Sequence, residues 1–284
     1  MVITGASSGI GLAAAVELAR GGDEVVLLGR DPGRLQRAVE AVREVSGSTP
    51  AAYRADFAVL DEVRQAGGKI AAAHERIDVL VNNAGQLTSV RRLTADGFDP
   101  TVQTNHLAGF LLTHLLLDRL RAAADADGPA RVITTGSAAE AWGTLDVRRP
   151  GRRQLSRWLA YGASKQANIL FTAEAARRWA TYGIVPTCFF PGLIRSRFGR
   201  RSPVFSLAGL VPVLFRTPAE GAETLVWLAR EPHGLVPGGY FAWQRPFVAT
   251  GRSTRPERAR LLWESSLAAV GYGAVGERSV RGVG

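Results

Sequence analysis

The order in which apolar runs follow one another constrains the fold of this 284-residue chain more than any other feature. Through the first two-thirds, short runs rich in Val, Ile and Leu alternate with longer stretches of helical periodicity. Strands are predicted at Val2 to Thr4, Val25 to Leu28, Ala51 to Ala55, Val79 to Val81, Val132 to Thr135 and Ile184 to Phe190. Helices are predicted at Ile10 to Arg20, Arg34 to Val45, Phe98 to Ala124 and Tyr161 to Tyr182. In the second of these, Leu35, Val39 and Val42 recur at i, i+4 and i+7 and share one face. Such alternation implies right-handed crossovers and a doubly wound α/β fold, a parallel sheet with helices on both sides. Val25-Val26-Leu27-Leu28 is apolar on both faces, as a strand covered twice must be. Pro186 is out of place inside a strand, because proline cannot donate to a ladder. No internal repeat or linker interrupts the pattern, so a single domain is expected.

Composition narrows the function classes. Hydrophobic residues at 46% and charged residues at 21% are ordinary for a soluble globular protein. No window holds the roughly 18 uninterrupted apolar residues of a membrane span; the longest candidate, Pro203 to Phe215, carries Pro212. No secretory signal precedes the first strand, which has only Met1, Val2 and Ile3 before Thr4-Gly5, so further strand residues are expected upstream. The lone Cys188 excludes an intrachain disulfide and fits a cytoplasmic setting. A net charge of +10 attracts anions, a pyrophosphate among them. Lys69 and Lys165 are the only lysines, and paired arginines such as Arg148-Arg149 and Arg152-Arg153 suit solvated surface. No nucleic-acid-binding motif accompanies them. The four histidines lack metal-ligand spacing, and no Gly-x-Ser-x-Gly elbow marks a serine hydrolase.

Thr4-Gly5-Ala6-Ser7-Ser8-Gly9-Ile10-Gly11 joins the first strand to the first helix. Glycines there let the backbone turn tightly and let a pyrophosphate approach the positive end of the helix. At the end of the second strand an acid would favour NAD, whereas an arginine suits the extra phosphate of NADP. Gly29-Arg30 stands there, with Asp31 one residue too late, so NADP(H) is expected over NAD(H) and Arg30 is its phosphate partner.

Tyr161-Gly162-Ala163-Ser164-Lys165 sets a phenol and an ammonium on one face of a helix. A phenol of pKa near 10 is a poor base at neutral pH, and a nearby cation lowers that value. A shift of about three units, about 4 kcal/mol, is a plausible demand on one close charge and a positive cofactor ring. In the reductive direction the same phenol donates its proton to the forming alkoxide. Ser137 follows the fifth strand and Asn82-Asn83-Ala84-Gly85 ends the fourth, both at the carboxyl edge where ligands bind. Asn105 lies inside a helical stretch, a poor place for asparagine unless its amide has a partner.

Taken together, Thr4-Gly5-x-x-x-Gly9-x-Gly11, Asn82-Asn83-Ala84-Gly85, Asn105, Ser137, Tyr161-x-x-x-Lys165 and Pro191-Gly192 resemble the short-chain dehydrogenase/reductase family, from Met1 to about Arg230. The resemblance implies a Rossmann fold and a catalytic tetrad of Asn105, Ser137, Tyr161 and Lys165. Lys165 would also hold the nicotinamide ribose, and Asn105 a water in a proton relay. The cofactor-binding set it implies is Gly5, Ser7, Ser8, Gly9, Ile10, Gly11, Arg30, Asp56, Phe57, Asn82, Ala84, Gly85, Tyr161, Lys165, Pro191, Gly192, Ile194 and Ser196. Asp56 and Phe57 match the adenine-contacting pair, and Pro191 to Ser196 the segment at the nicotinamide carboxamide. Thr104 to Thr113, Leu159 to Phe171 and Thr217 to Ala222 resemble the retinol-dehydrogenase-like branch, which favours NADP(H) and lipophilic aldehydes, ketones or secondary alcohols. Gly136 departs from the usual second serine, and Arg148 to Arg157 is an arginine-rich insertion. Self-association into a homo-oligomer is implied by the same resemblance.

Residues 1–252 are therefore expected to form the NAD(P)-binding domain, with 193–215 an apolar substrate lid or, equally, a core helix or a helix against a membrane surface or partner, and 253–284 a C-terminal helix and flexible tail. Trp142 and Trp243 are expected in the core, with pocket lining as the alternative. The chemistry implied is an NADP(H)-dependent oxidoreductase, a reductase by preference, acting on a small lipophilic carbonyl or alcohol. A tailoring ketoreductase of polyketide-type metabolism and a non-catalytic NADP(H)-binding sensor or scaffold remain as alternatives.

Overall fold

The computed structural model describes residues 1–88, 92–194, 216–231 and 235–272, apart from the side chain of Asp127. The strands are β1 (Val2–Thr4), β2 (Val26–Gly29), β3 (Ala51–Arg54), β4 (Val79–Asn82), β5 (Ala130–Thr135), β6 (Ile184–Phe190), β7 (Tyr240–Ala242) and β8 (Arg245–Pro246). They form one sheet in the order β3-β2-β1-β4-β5-β6-β7-β8, parallel except for the β7–β8 pair. The chain starts at β1 in the middle and winds outwards twice, so a crevice opens at the carboxyl ends of β1 and β4.

Period-two alternation within the strands sorts their side chains between two cores. Ile3, Leu27, Val79, Val81 and Ile133 pack under helices α1 (Gly9–Arg20) and α2 (Pro32–Ser46), together with Leu225 and Leu228 of α8 (Pro218–Arg230). Val2, Val26, Leu28, Leu80 and Val132 face the opposite layer. That layer contains α3 (Leu60–Ala73), the single turn α4 (Pro100–Val102), α5 (Ala108–Leu115), α6 (Leu117–Asp127) and α7 (Arg157–Arg178). The short α9 (Gly251–Thr254) and the longer α10 (Pro256–Ala269) complete it, with Trp263 of α10 stacked on Phe171 of α7 at 5.7 Å. No described helix is long and apolar enough to cross a membrane.

Two expectations from the sequence meet a different outcome. The long helix predicted from Phe98 to Ala124 is broken, with a π-helical turn at Gln103–Leu107 and a second break at Leu116. Pro186 fits inside β6 because its carbonyl, on the outer side, accepts from Gly238 before the β7 ladder begins at Cys188. Its missing N–H therefore falls where no ladder partner stands.

Candidate active site

The glycine turn between β1 and α1 fits a dinucleotide on three counts. Gly9 has φ +60°, and a Cβ there would meet nothing within 4 Å, so the turn opens outward. Gly11 instead needs its lack of a side chain, because a Cβ would lie 2.5 Å from the Gly5 carbonyl oxygen. Ser8 is the N-cap of α1 but its hydroxyl makes no cap, so among the described residues no side chain accepts from the first-turn amides. Thr4 pins this turn to the β4 loop: its hydroxyl donates to Val81 O and accepts from the amides of Asn83 and Ala84. Ser7 leans over Gly29 at the end of β2, and Ile10 and Ile194 meet over Gly221 of α8.

Beyond β2, the exposed Arg30 guanidinium lies 3.7 Å from the Asp56 carboxylate. Arg54, at the end of β3, donates to the Arg30 carbonyl, adding a second guanidinium at this corner. Asp31 accepts from Arg34 N as the N-cap of α2, so its carboxylate serves the helix. Phe57 is buried in the core beside this corner. Asn82 turns inward and donates to Thr113, whereas Ala84 and Gly85 line the loop at the sheet edge, Gly85 close to Asn105. Pro191 and Gly192 continue β6 past the same edge, and Ile194 forms a bridge with Arg216. Ser196 and most of the 193–215 lid lie outside the described residues, as does the tail from residue 273.

The reactive groups converge above the end of β5. Ser137 caps the 3₁₀ helix Ala138–Trp142 by accepting from Ala139 N at 3.2 Å, and its side chain stands beside the Tyr161 hydroxyl. Lys165, one turn further along α7, is buried and donates to the Thr135 carbonyl at 2.9 Å. Asn105 lies in the π-helical turn, a distortion frequent at functional sites. Its amide accepts from Gln86 N at 2.7 Å and donates to Gln86 O and Ser164 Oγ, bracing the β4 loop against α7.

The electrostatics correct one expectation. Lys165 Nζ stands 5.5 Å from the centroid of the Tyr161 ring and bonds the Thr135 carbonyl instead. Burial pushes the Tyr161 phenol up to about 12, with the neighbouring Ser137 side chain pulling the other way. Burial also brings the Lys165 ammonium down to about 8, against the pull of Cys188. Desolvation outweighs the expected benefit of the nearby cation, so the protein's own groups favour a protonated phenol.

Trp142 and Trp243, expected in the core, are each 53% exposed. Trp243 and Gln244 form the β7–β8 turn with φ of 52° and 61°, left-handed values that non-glycine residues adopt at a cost. Trp243, Phe190 and Phe247 make an aromatic cluster, with centroids 5.7 to 5.9 Å apart, next to Pro191. His106 and Asn168, which sequence reasoning passed over as site residues, lie buried beside Asn105 and Lys165. Two polar residues inside apolar helical runs were the available signal.

A doubly wound sheet with a glycine turn at its centre and a serine–tyrosine–lysine cluster at its carboxyl edge defines a nucleotide-dependent oxidoreductase. The chain belongs to the short-chain dehydrogenases: the model of the short chain dehydrogenase family matches residues 1–203. It is 44% identical to a Streptomyces sp. (strain C5) protein named as a daunorubicin C-13 ketoreductase, over 95% of this chain and 92% of that one. It is 35% identical to human retinol dehydrogenase 13, over 96% of this chain and 85% of that protein. A short chain dehydrogenase from Shigella flexneri 2a, solved with NADP, superposes with a TM-score of 0.67 at 26% identity, covering 86% of this chain and 96% of that one. The protein is thus a retinol-dehydrogenase-like oxidoreductase of CH–OH or C=O groups that uses a nicotinamide cofactor.

Proposed function

We propose that the protein uses NADPH to reduce a ketone or aldehyde on a bulky lipophilic molecule, with Tyr161 as the proton donor. The observation that carries this reading is the placing of Ser137 beside the Tyr161 phenol, one turn from buried Lys165, at the carboxyl edge of the sheet. When bound, the nicotinamide supplies the hydride. Ser137 orients the substrate oxygen, and Tyr161, kept protonated by burial, gives it a proton as negative charge develops. Lys165 holds the nicotinamide ribose, and Asn105 holds the β4 loop and α7 in register beside it. The turn from Gly5 to Gly11 holds the pyrophosphate, with Ser7, Ser8 and Ile10 against it. Asp56, Ala84 and Gly85 frame the adenosine side, with Phe57 and Asn82 packed behind them, and Pro191, Gly192, Ile194 and Ser196 frame the nicotinamide side.

The preference for NADP(H) is supported by Arg30 and Arg54 at the end of the second and third strands, and by the use of Asp31 as a helix cap. A lipophilic substrate is supported by the Phe190, Trp243 and Phe247 cluster and by the names of two relatives, which carry daunorubicin and retinol. The higher identity to the ketoreductase favours a tailoring ketone reductase over a retinal reductase.

The test is loss of nicotinamide absorbance with NADPH or NADH and a panel of lipophilic carbonyls headed by daunorubicin and all-trans-retinal. Turnover with NADPH and far less with NADH is expected. Tight NADPH binding with no turnover across the panel would favour a cofactor-binding sensor. Arg30→Ala is expected to raise the KM for NADPH by about tenfold, one charge-assisted hydrogen bond of about 1.5 kcal/mol, and to leave that for NADH unchanged.

A further inference from the structure

The carbonyl that holds Lys165 is shared. Thr135 O also accepts from Asn168 Nδ2 at 3.0 Å, three residues further along α7. A carbonyl oxygen can only accept, so the Asn168 amide nitrogen must face it and Oδ1 must face away. On that side stands His106 Nδ1, 3.3 Å from Oδ1. An amide oxygen also only accepts, so His106 carries a proton on Nδ1; burial keeps the ring neutral, and its Nε2 is then an acceptor. The donor to Nε2 is the hydroxyl of Ser266 on α10, 3.2 Å away. His106, Asn168, Lys165 and Ser266 are all buried, and the His106 ring packs against Phe110 and Phe171. With the ring neutral, the hydrogen bonds run in one sense, from the C-terminal helix to the oxygen that holds the lysine.

We propose that His106 and Asn168 are positioning residues for Lys165: they aim the Thr135 carbonyl that holds its ammonium, and Ser266 ties that arrangement to α10. The inference rests on the role given to Lys165 in the proposed function. Neither residue touches cofactor or substrate; both act through Thr135, the last residue of β5 and two residues before Ser137. A lysine ammonium is a point charge on a flexible stem, and it has to be aimed by what it bonds. A buried polar network with all its members satisfied removes the alternative arrangements. A carbonyl free to swing would release the ammonium and the peptide leading to Ser137 together.

Two measurements test this. In ¹⁵N-labelled wild-type protein, the His106 ring signals, assigned by their loss in a variant, are expected to show the neutral Nδ1–H tautomer at neutral pH. A charged ring, or the Nε2–H tautomer, would overturn the chain of hydrogen bonds. The second measurement is steady-state reduction with NADPH and whichever carbonyl of the panel turns over. His106→Asn places an amide nitrogen where Nδ1–H stood and is expected to stay within about threefold of wild-type kcat, whereas His106→Gln, which reaches towards Ser266, and Asn168→Leu are expected to lose about ten- to a hundredfold, the order for slight misplacement of a catalytic group. The carbonyl KM should change little. Equal kcat for the two His106 variants at matched melting temperature, or wild-type kcat in Asn168→Leu, would reject the positioning role. A wild type that binds NADPH but turns over no carbonyl would defeat the reductase reading alone, and the tautomer would still decide the inference.

Discussion

A phenol that burial pushes up to about 12 is an acid held ready, and the pH dependence of the reaction follows from that. In the reductive direction Tyr161 stays protonated across the neutral range, so it does not limit the rate there. Lys165, brought down to about 8, loses its charge first; the titratable groups facing it are Tyr161 on α7 and Cys188 on β6, whose thiol burial pushes up to about 12. Reduction is expected to slow as pH rises through about 8, while alcohol oxidation, which needs the phenolate, speeds up. Profiles of kcat in both directions check this, and a reduction rate flat well beyond that pH would remove the lysine charge from the mechanism. Tyr161→Phe is expected to lose about a thousandfold in kcat, the range of general-acid catalysis, and to bind NADPH normally in a fluorescence titration. Tyr161, Lys165 and Ser137 were legible because a phenol and an ammonium one turn apart seldom coincide in a chain with two lysines. The direction of Lys165 was not, since its partner is a main-chain carbonyl that no residue type announces.

Among the elements, the 3₁₀ helix that starts at Ser137 depends on a buried carboxylate. Glu140 accepts from Thr250 N at 2.9 Å, from the Thr250 hydroxyl at 2.7 Å and from the Ser253 hydroxyl, tying this short helix to α9. Glu140→Ala would leave those donors without their acceptor, at a cost of about 2–4 kcal/mol. A urea titration with unchanged m-value should show that loss, and a shift under about 0.5 kcal/mol would mean that water replaces the carboxylate. The first six strands were readable to within two residues, five of them because central parallel strands are apolar on both faces, whereas β3 is an edge strand of alternating exposure. By contrast, β7 and β8 are three and two residues long, and their turn at Trp243-Gln244 lacks the Asn-Gly signature of a tight hairpin. Helix α3 was hidden by Gly67-Gly68 in its interior and by an N-cap, Val59, that makes no side-chain cap. The tryptophans were misplaced for a related reason: size and hydrophobicity predict burial, and only the strained turn shows that Trp243 is held outward.

For the molecule as a whole, the polar groups sealed beneath α10 make stability depend on pH. Burial lowers His106 and His114 to about 4 from an ordinary value of 6.5. Between those values the unfolded chain binds protons that the folded chain refuses, so stability is complete above about 6.5 and is lost as pH falls towards 4. Each ring contributes about 3 kcal/mol over that window, and about 6 kcal/mol for the pair is a large share of the roughly 5–15 kcal/mol that holds a domain together. Glu174, whose carboxyl Arg177 and Arg178 hold below its usual range, adds its loss only at still lower pH. Lys165 acts at the other end: because burial lowers its pKa, the unfolded chain binds the extra proton between about 8 and 10.5, and stability rises with pH there. The free energy of unfolding from urea titrations is therefore expected to fall steeply from neutral pH to about 4.5, and the midpoint with it, with a slope approaching 2.5 kcal/mol per pH unit where both rings differ between states. His114→Gln should halve that slope, because it removes one of the two groups while His106 stays sealed between Asn168 and Ser266. A midpoint that stays constant across the same range would mean that the core under α10 admits a proton without unfolding, and that α10 does not seal it.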